Sequence, residues 1–139
     1  MKILFTIFLS FFSIILFSQS PIGIWKTIDD QTNEEKSHVQ IFEKGGKIYG
    51  KIIKLLQAEP DVKCTKCEGD KKNQSILGME FLWALKPYKD YWSYGKILDP
   101  EDGNVYKCNL WVDDNGKLNV RGYLGIAALG RTQIWHRVE

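Results

Sequence analysis

Gly130-Arg131-Thr132-Gln133-Ile134-Trp135-His136-Arg137-Val138 ends the chain on a strand in which Arg131, Gln133, Trp135 and Arg137 share one face. At the other end, Gly23-Ile24-Trp25-Lys26-Thr27 opens a second β-rich stretch. A series of short strands that begins on Gly-x-Trp and ends on an arginine-bearing strand points to a sheet closed on itself. Closure bears on function, because a closed barrel has an inside and an inside can hold a ligand.

Between these ends the pattern is one of strands. Ile22 to Ile28 runs into the turn cluster Asp29-Asp30-Gln31-Thr32-Asn33. Ser37 to Phe42 sets Val39 and Ile41 against His38 and Gln40. Gly45-Gly46 marks a two-residue hairpin, since both central residues of a type I′ turn need positive φ. Lys47 to Leu55 returns with Ile48 and Ile52 on one face and Tyr49, Lys51 and Ile53 on the other, and Gly50 marks a bend or bulge within it. Tyr91 to Leu98 stops at Asp99-Pro100-Glu101-Asp102-Gly103, a turn rather than a calcium loop. Asn104 to Val112 alternates Tyr106, Cys108, Leu110 and Val112 with Lys107 and Asn109. Asn115-Gly116 signals another hairpin, into Leu118 to Tyr123. Ser75 to Leu85 admits two readings, a helical face of Met79, Leu82 and Trp83 or a strand, and its neighbours favour the strand. The expectation is an all-β chain of seven or eight strands, an antiparallel meander closing into a small barrel, with a flat sandwich as the alternative.

Residues 1–18 read as a secretory signal: Lys2, an apolar run from Ile3 to Phe17, then the polar exit at Ser18. The run is shorter than the ~20 residues of a spanning helix, and nothing later is long and apolar enough to span. An uncleaved N-terminal anchor is the alternative. The expected product is a periplasmic or secreted protein, not membrane-spanning after cleavage, with residues 19–139 as one domain of roughly 120 residues. Nineteen Lys and Arg against seventeen Asp and Glu give a formal charge of +2, and loss of Lys2 leaves about +1. Such a balance excludes nucleic acid as a partner, which calls for a basic stripe.

Gln57 to Asn73 is the one long polar stretch, and it contains Cys64-Thr65-Lys66-Cys67. A redox pair of this spacing sits at a helix N-terminus after a strand, and no such context surrounds it. A zinc site needs further ligands, and Cys108, His38 and His136 bring no second paired spacing. In an oxidising compartment the pair closes as a Cys64–Cys67 disulfide that pins the loop. Cys108, on the apolar face of its strand, reads as a buried free thiol. No serine sits in a nucleophile elbow and neither histidine has an acid beside it in a motif. The chain does not read as an enzyme, and neither a metal nor a cofactor is expected.

What remains are polar and aromatic groups on the strands. Trp25, Arg121, Tyr123, Arg131 and Trp135 are the candidate ligand-binding set, because arginine grips a carboxylate bidentately and aromatic walls suit an apolar body. The competing reading is structural: one arginine stacks on Trp25 across the barrel end and closes it.

Several stretches carry a family resemblance. They are Gly23 to Thr27, Gly50-Lys51-Ile52, the Cys64 and Cys67 pair, Gly95 to Pro100, Asp102 to Cys108 and Gly116 to Val138. Val120-Arg121-Gly122-Tyr123-Leu124-Gly125 followed by Gly130-Arg131-Thr132 is the most specific signature. Together they resemble an exported bacterial family, domain of unknown function 2147, over nearly all of the chain beyond residue 18. That resemblance implies an extracytoplasmic single domain with no assigned catalytic residue. The Gly-x-Trp start is also similar to that of lipocalins, calycin-type barrels that bind ligands. By that likeness the chain is expected to bind a small hydrophobic or acidic molecule in the cell envelope, although its length leaves fewer residues for a deep calyx. The second expectation is an envelope module that docks a protein partner through the pinned loop at 57–73.

Overall fold

The computed structural model describes residues 19–138, so the signal-peptide reading of residues 1–18 lies outside the described residues. Eight strands follow in order: β1 (Gly23–Ile28), β2 (Glu35–Lys44), β3 (Lys47–Leu55), β4 (Glu80–Tyr88), β5 (Tyr91–Leu98), β6 (Val105–Val112), β7 (Leu118–Tyr123) and β8 (Arg131–Arg137). Each pairs antiparallel with the next, and β1 pairs with β8, so the sheet closes into a barrel. The sandwich alternative is thereby excluded. No helix among the described residues is long and apolar enough to cross a membrane.

The segment from Ser75 to Leu85 divides. Its second half begins β4, and residues 75–79 instead finish the long connection from β3. Met79 is fully buried there, and the connection is seated on β3 by the Ile52 amide donating to the Met79 carbonyl and the Gly78 amide to that of Ile52. Its apolar character therefore reflects core contact made by a loop. The two hairpin signals both join strands as expected. Gly45 and Gly46 take φ +60° and +77°. At Asn115-Gly116 only the glycine has positive φ, and the turn is organised by Asp113, whose carboxylate accepts from the amides of Asn115 and Lys117.

Alternation decides which side chains fill the barrel. Trp25, Val39, Ile41, Ile48, Leu85, Cys108, Leu110 and Leu118 are essentially without solvent exposure and belong to one core cluster. Space is used closely: a Cβ on Gly95 would lie 2.5 Å from Leu85 Cγ and 2.6 Å from the Trp83 carbonyl oxygen. Glycine at 95 thus lets the Leu85 side chain occupy that place. Opposite this pair the backbone bulges on both strands, with Ala84 at φ +62° and Tyr94 at φ +63°.

Because the sheet is a meander, its connections alternate between two ends. One end carries the segments 29–34, 56–79, 99–104 and 124–130, and is the mouth. The other carries the chain ends and the short hairpins. At that second end the Arg137 guanidinium lies 4.2 Å from the Trp25 ring centroid and donates to the carbonyls of Ile22 and Ser20. The Trp25 indole donates to Pro21. The expected arginine cap on Trp25 is present, and Arg137 supplies it.

Candidate functional site

The five residues singled out as a ligand-binding set occupy three different places. Trp25 and Trp135 lie in the core, the latter beside Phe81 with ring centroids 6.2 Å apart. Arg131 stands at the mouth, 59% exposed, and forms a bidentate contact with Asp30 (Nε–Oδ2 3.0 Å, Nη2–Oδ1 2.7 Å). Arg121 and Tyr123 face outward, because β7 pairs with β8 so that Leu118 and Val120 point inward opposite Trp135 and Gln133. The set therefore does not converge on one interior cavity.

The mouth is a polar rim over a filled interior. The Trp135 indole donates to Gln133, and the Gln133 amide donates to Asp30, which is held by Arg131. That guanidinium keeps the Asp30 carboxyl below its ordinary range. Across the rim, burial raises Asp99. Cys64 and Cys67 are bonded, with Cα atoms 5.4 Å apart, and both are buried against the core. The disulfide thus anchors the β3–β4 connection over the mouth. Cys108 is the free, buried thiol expected of it, and burial pushes its pKa far upward, away from thiolate chemistry.

A concave site appears instead on the outside of the barrel, across β5, β6 and β7. Tyr88, Tyr91, Tyr94, Tyr123, Lys96 and Lys107 surround a groove of about 460 Å³. Its floor is polar, with the Ser93 hydroxyl donating to Asn109 Oδ1 at 2.6 Å. Tyr88 meets Tyr91 and Tyr94 edge-on, with centroids 5.4 and 5.3 Å apart. Neither Lys96 nor Lys107 forms an ion pair among the described residues. The arrangement offers aromatic faces and edges for an apolar body, and two ammonium groups for an anion.

Of the groove residues, only Tyr123 belongs to the set expected from sequence. The signal for the rest is the density of aromatics in Tyr88-Lys89-Asp90-Tyr91-Trp92-Ser93-Tyr94. Strict alternation misplaces them, because the bulge at Tyr94 resets the faces of β5: Trp92 lies opposite the core residue Leu110, while Ser93 and Tyr94 turn toward the outer side.

The likeness to known proteins agrees with this architecture. A family model described as "Uncharacterized protein conserved in bacteria (DUF2147)" matches residues 23–137. Among solved structures, the chain is similar to the protein HP1028 of Helicobacter pylori, described as belonging to the lipocalin family. The TM-score is 0.74 at 26% identity, over 85% of this chain and 82% of that one. No curated protein matches the chain. A family pattern that begins at the first strand and runs through the Trp25-capping arginine of the last, on a barrel that superposes on a lipocalin, settles the relationship: the chain belongs to the bacterial family of domain of unknown function 2147, and its barrel is lipocalin-like.

Proposed function

We propose that the protein is a non-enzymatic binding protein of the cell envelope that takes a small molecule with an apolar, flat body and an acid group. The groove on the outer face of β5–β7 is its site. Tyr94 carries the proposal. Its backbone sits at φ +63°, a region that disfavours residues with a Cβ by about 1–2 kcal/mol, and the residue is 66% exposed at the groove wall. A large aromatic placed at a strained position, where it gains little from burial, is poorly explained by stability and well explained by a role in contact. Lys96 and Lys107 supply the preference for an acid. The envelope location rests on the signal-like residues 1–18 and on the disulfide, which belongs to oxidising compartments.

The alternative, a docking module built on residues 57–73, calls for an apolar patch beside that loop. Among the described residues no exposed large hydrophobic side chain lies within that loop, whose exposed positions are mostly lysines, acids and small residues; the exposed aliphatics at the same end, Leu124, Ile126 and Leu129, belong to the β7–β8 connection. The groove is therefore the better supported reading.

Saturation-transfer NMR with naphthalene-2-carboxylate and naphthalene-2-carboxamide tests it. The acid is expected to bind roughly three- to tenfold more tightly than the amide, as suits a partly exposed lysine–carboxylate contact of ~1 kcal/mol. Lys96→Gln with Lys107→Gln should erase that difference. Tyr94→Gly should weaken both ligands while leaving stability within about 1 kcal/mol of the parent, since relief of strain offsets the added chain entropy and the lost edge contact. Binding that survives Tyr94→Gly unchanged, or an equal response to acid and amide, counts against the site.

A further inference from the structure

The connection from β7 to β8, Leu124-Gly125-Ile126-Ala127-Ala128-Leu129-Gly130, contains no charged residue. Its three large aliphatic side chains point into solvent: Leu124 is 65% exposed, Ile126 62% and Leu129 79%. Single exposed aliphatics are ordinary, but three on one seven-residue connection at one end of a barrel are a patch that asks for a partner.

The exposure is built in. Arg121 reaches along the outer face and binds the connection from below, with Nε donating to the Ala127 carbonyl at 2.8 Å, Nη2 to that of Ala128 at 3.4 Å, and Nη1 to Thr132 Oγ1 at 2.8 Å. The Gly130 amide closes a short 3-10 turn onto Ala127, and a Cβ on Gly130 would lie 2.6 Å from the Gly122 carbonyl. The guanidinium thus holds the Ala127–Leu129 turn on the outside, and the aliphatic side chains do not fold back over the mouth. Arg121, expected from sequence to grip a ligand, here positions a loop.

We propose that this connection is a membrane-docking loop that dips its aliphatic side chains into a bilayer surface bearing anionic headgroups. Three aliphatic side chains this exposed on one connection suit a deformable lipid interface rather than a preformed pocket. Its surroundings have the composition of an interfacial belt. Lys96 and Lys107 flank Leu124 and Val105 around a shallow hollow of about 270 Å³, and Tyr123 stands at the base of the loop. Lysine ammonium groups without ion pairs meet anionic headgroups, tyrosine takes the boundary, and Leu124, Ile126 and Leu129 enter the acyl region. Docking so would also place the outer groove beside the lipid surface from which an amphipathic acid partitions. The proposal shares Lys96, Lys107 and Tyr123 with that groove but does not depend on its ligand.

A fluorophore confined to the loop tests it in the full chain, whatever residues 1–18 do. Cys108 is buried and Cys64 and Cys67 are bonded, so Ile126→Cys offers one reactive thiol for a nitrobenzoxadiazole label, and Asn115→Cys labels the opposite end. On phosphatidylglycerol–phosphatidylethanolamine vesicles the label at 126 should shift to the blue and be quenched by brominated acyl chains, with the label at 115 unchanged. Pure phosphatidylcholine vesicles, or Lys96→Glu with Lys107→Glu, should weaken the response roughly thirtyfold or more, as expected for two lysines near a charged surface. Tyr94→Gly should leave it intact, which separates this surface from the groove reading. The proposal is overturned if the label at 126 stays in water on every vesicle, or if both labels respond alike. It is equally overturned if the label at 126 becomes buried without lipid as protein concentration rises, since a second copy is then the partner.

Discussion

Trp25→Ala is expected to lower the free energy of unfolding by about 3–5 kcal/mol, the usual range for removing a fully buried tryptophan. Small domains hold only about 5–15 kcal/mol in total, so a large share of the margin goes with this one side chain. The reason lies in what the indole joins. Its ring is completely buried, its N–H donates to Pro21, and Arg137 from the last strand stacks on it while donating to Ile22 and Ser20. First strand, last strand and the entering chain meet on one group. Urea denaturation at constant slope measures the loss as a shift in midpoint. Arg137→Ala serves as the comparison and should cost about 1–2 kcal/mol, since a partly exposed cation–π contact and exposed hydrogen bonds are worth less than aromatic burial. A Trp25→Ala variant within about 1 kcal/mol of the parent would show that the seam between β1 and β8 is not what holds the barrel shut.

That seam is also the most legible part of the sequence. Gly23-x-Trp25 and the alternation of Arg131, Gln133, Trp135 and Arg137 name two adjoining strands and the face each presents, because a period of two holds from Gly23 to Thr27 and along β8. The hairpin at Gly45-Gly46 and the apolar face of β6 are read for the same reason. The face of Arg121 follows from its neighbours: Val120 and Leu118 take the inside, so Arg121 must take the outside and has no route to an interior ligand. The outer groove is a different matter. Ala84 and Tyr94 adopt positive φ without being glycine, asparagine or aspartate, and no residue type announces a bulge there. A register reset of that kind is fixed by how Leu85 fits into the space left at Gly95, a contact between strands that a single-strand pattern does not contain.

Gly103→Ala is expected to open the mouth. Gly103 sits at φ +74° in the turn between β5 and β6, closed by its own amide donating to the Asp99 carbonyl and by the Asp99 amide donating to Asn104. A Cβ there would run into the carbonyl of Lys66, which lies between the two bonded cysteines. The obstructing atoms are all backbone, so no side-chain rotation relieves the clash, and either the turn or the disulfide segment must move. Left-handed strain of about 1–2 kcal/mol adds to an overpacking cost of about 1–3 kcal/mol. Gly125→Ala isolates the first contribution, because Gly125 has the same φ of +74° and a Cβ there would meet nothing within 4 Å. The difference between the two variants is therefore the contact between the turn and the disulfide segment. Gly103→Ala should also expose residues 57–73 to limited proteolysis and speed reduction of Cys64–Cys67 by dithiothreitol, whereas Gly125→Ala should do neither. Equal destabilisation by the two substitutions would mean that the disulfide loop rests on the mouth without being held by it. A loop released in Gly103→Ala, with the barrel still folded, would show that the fit of this turn against the disulfide segment is needed to keep the mouth closed.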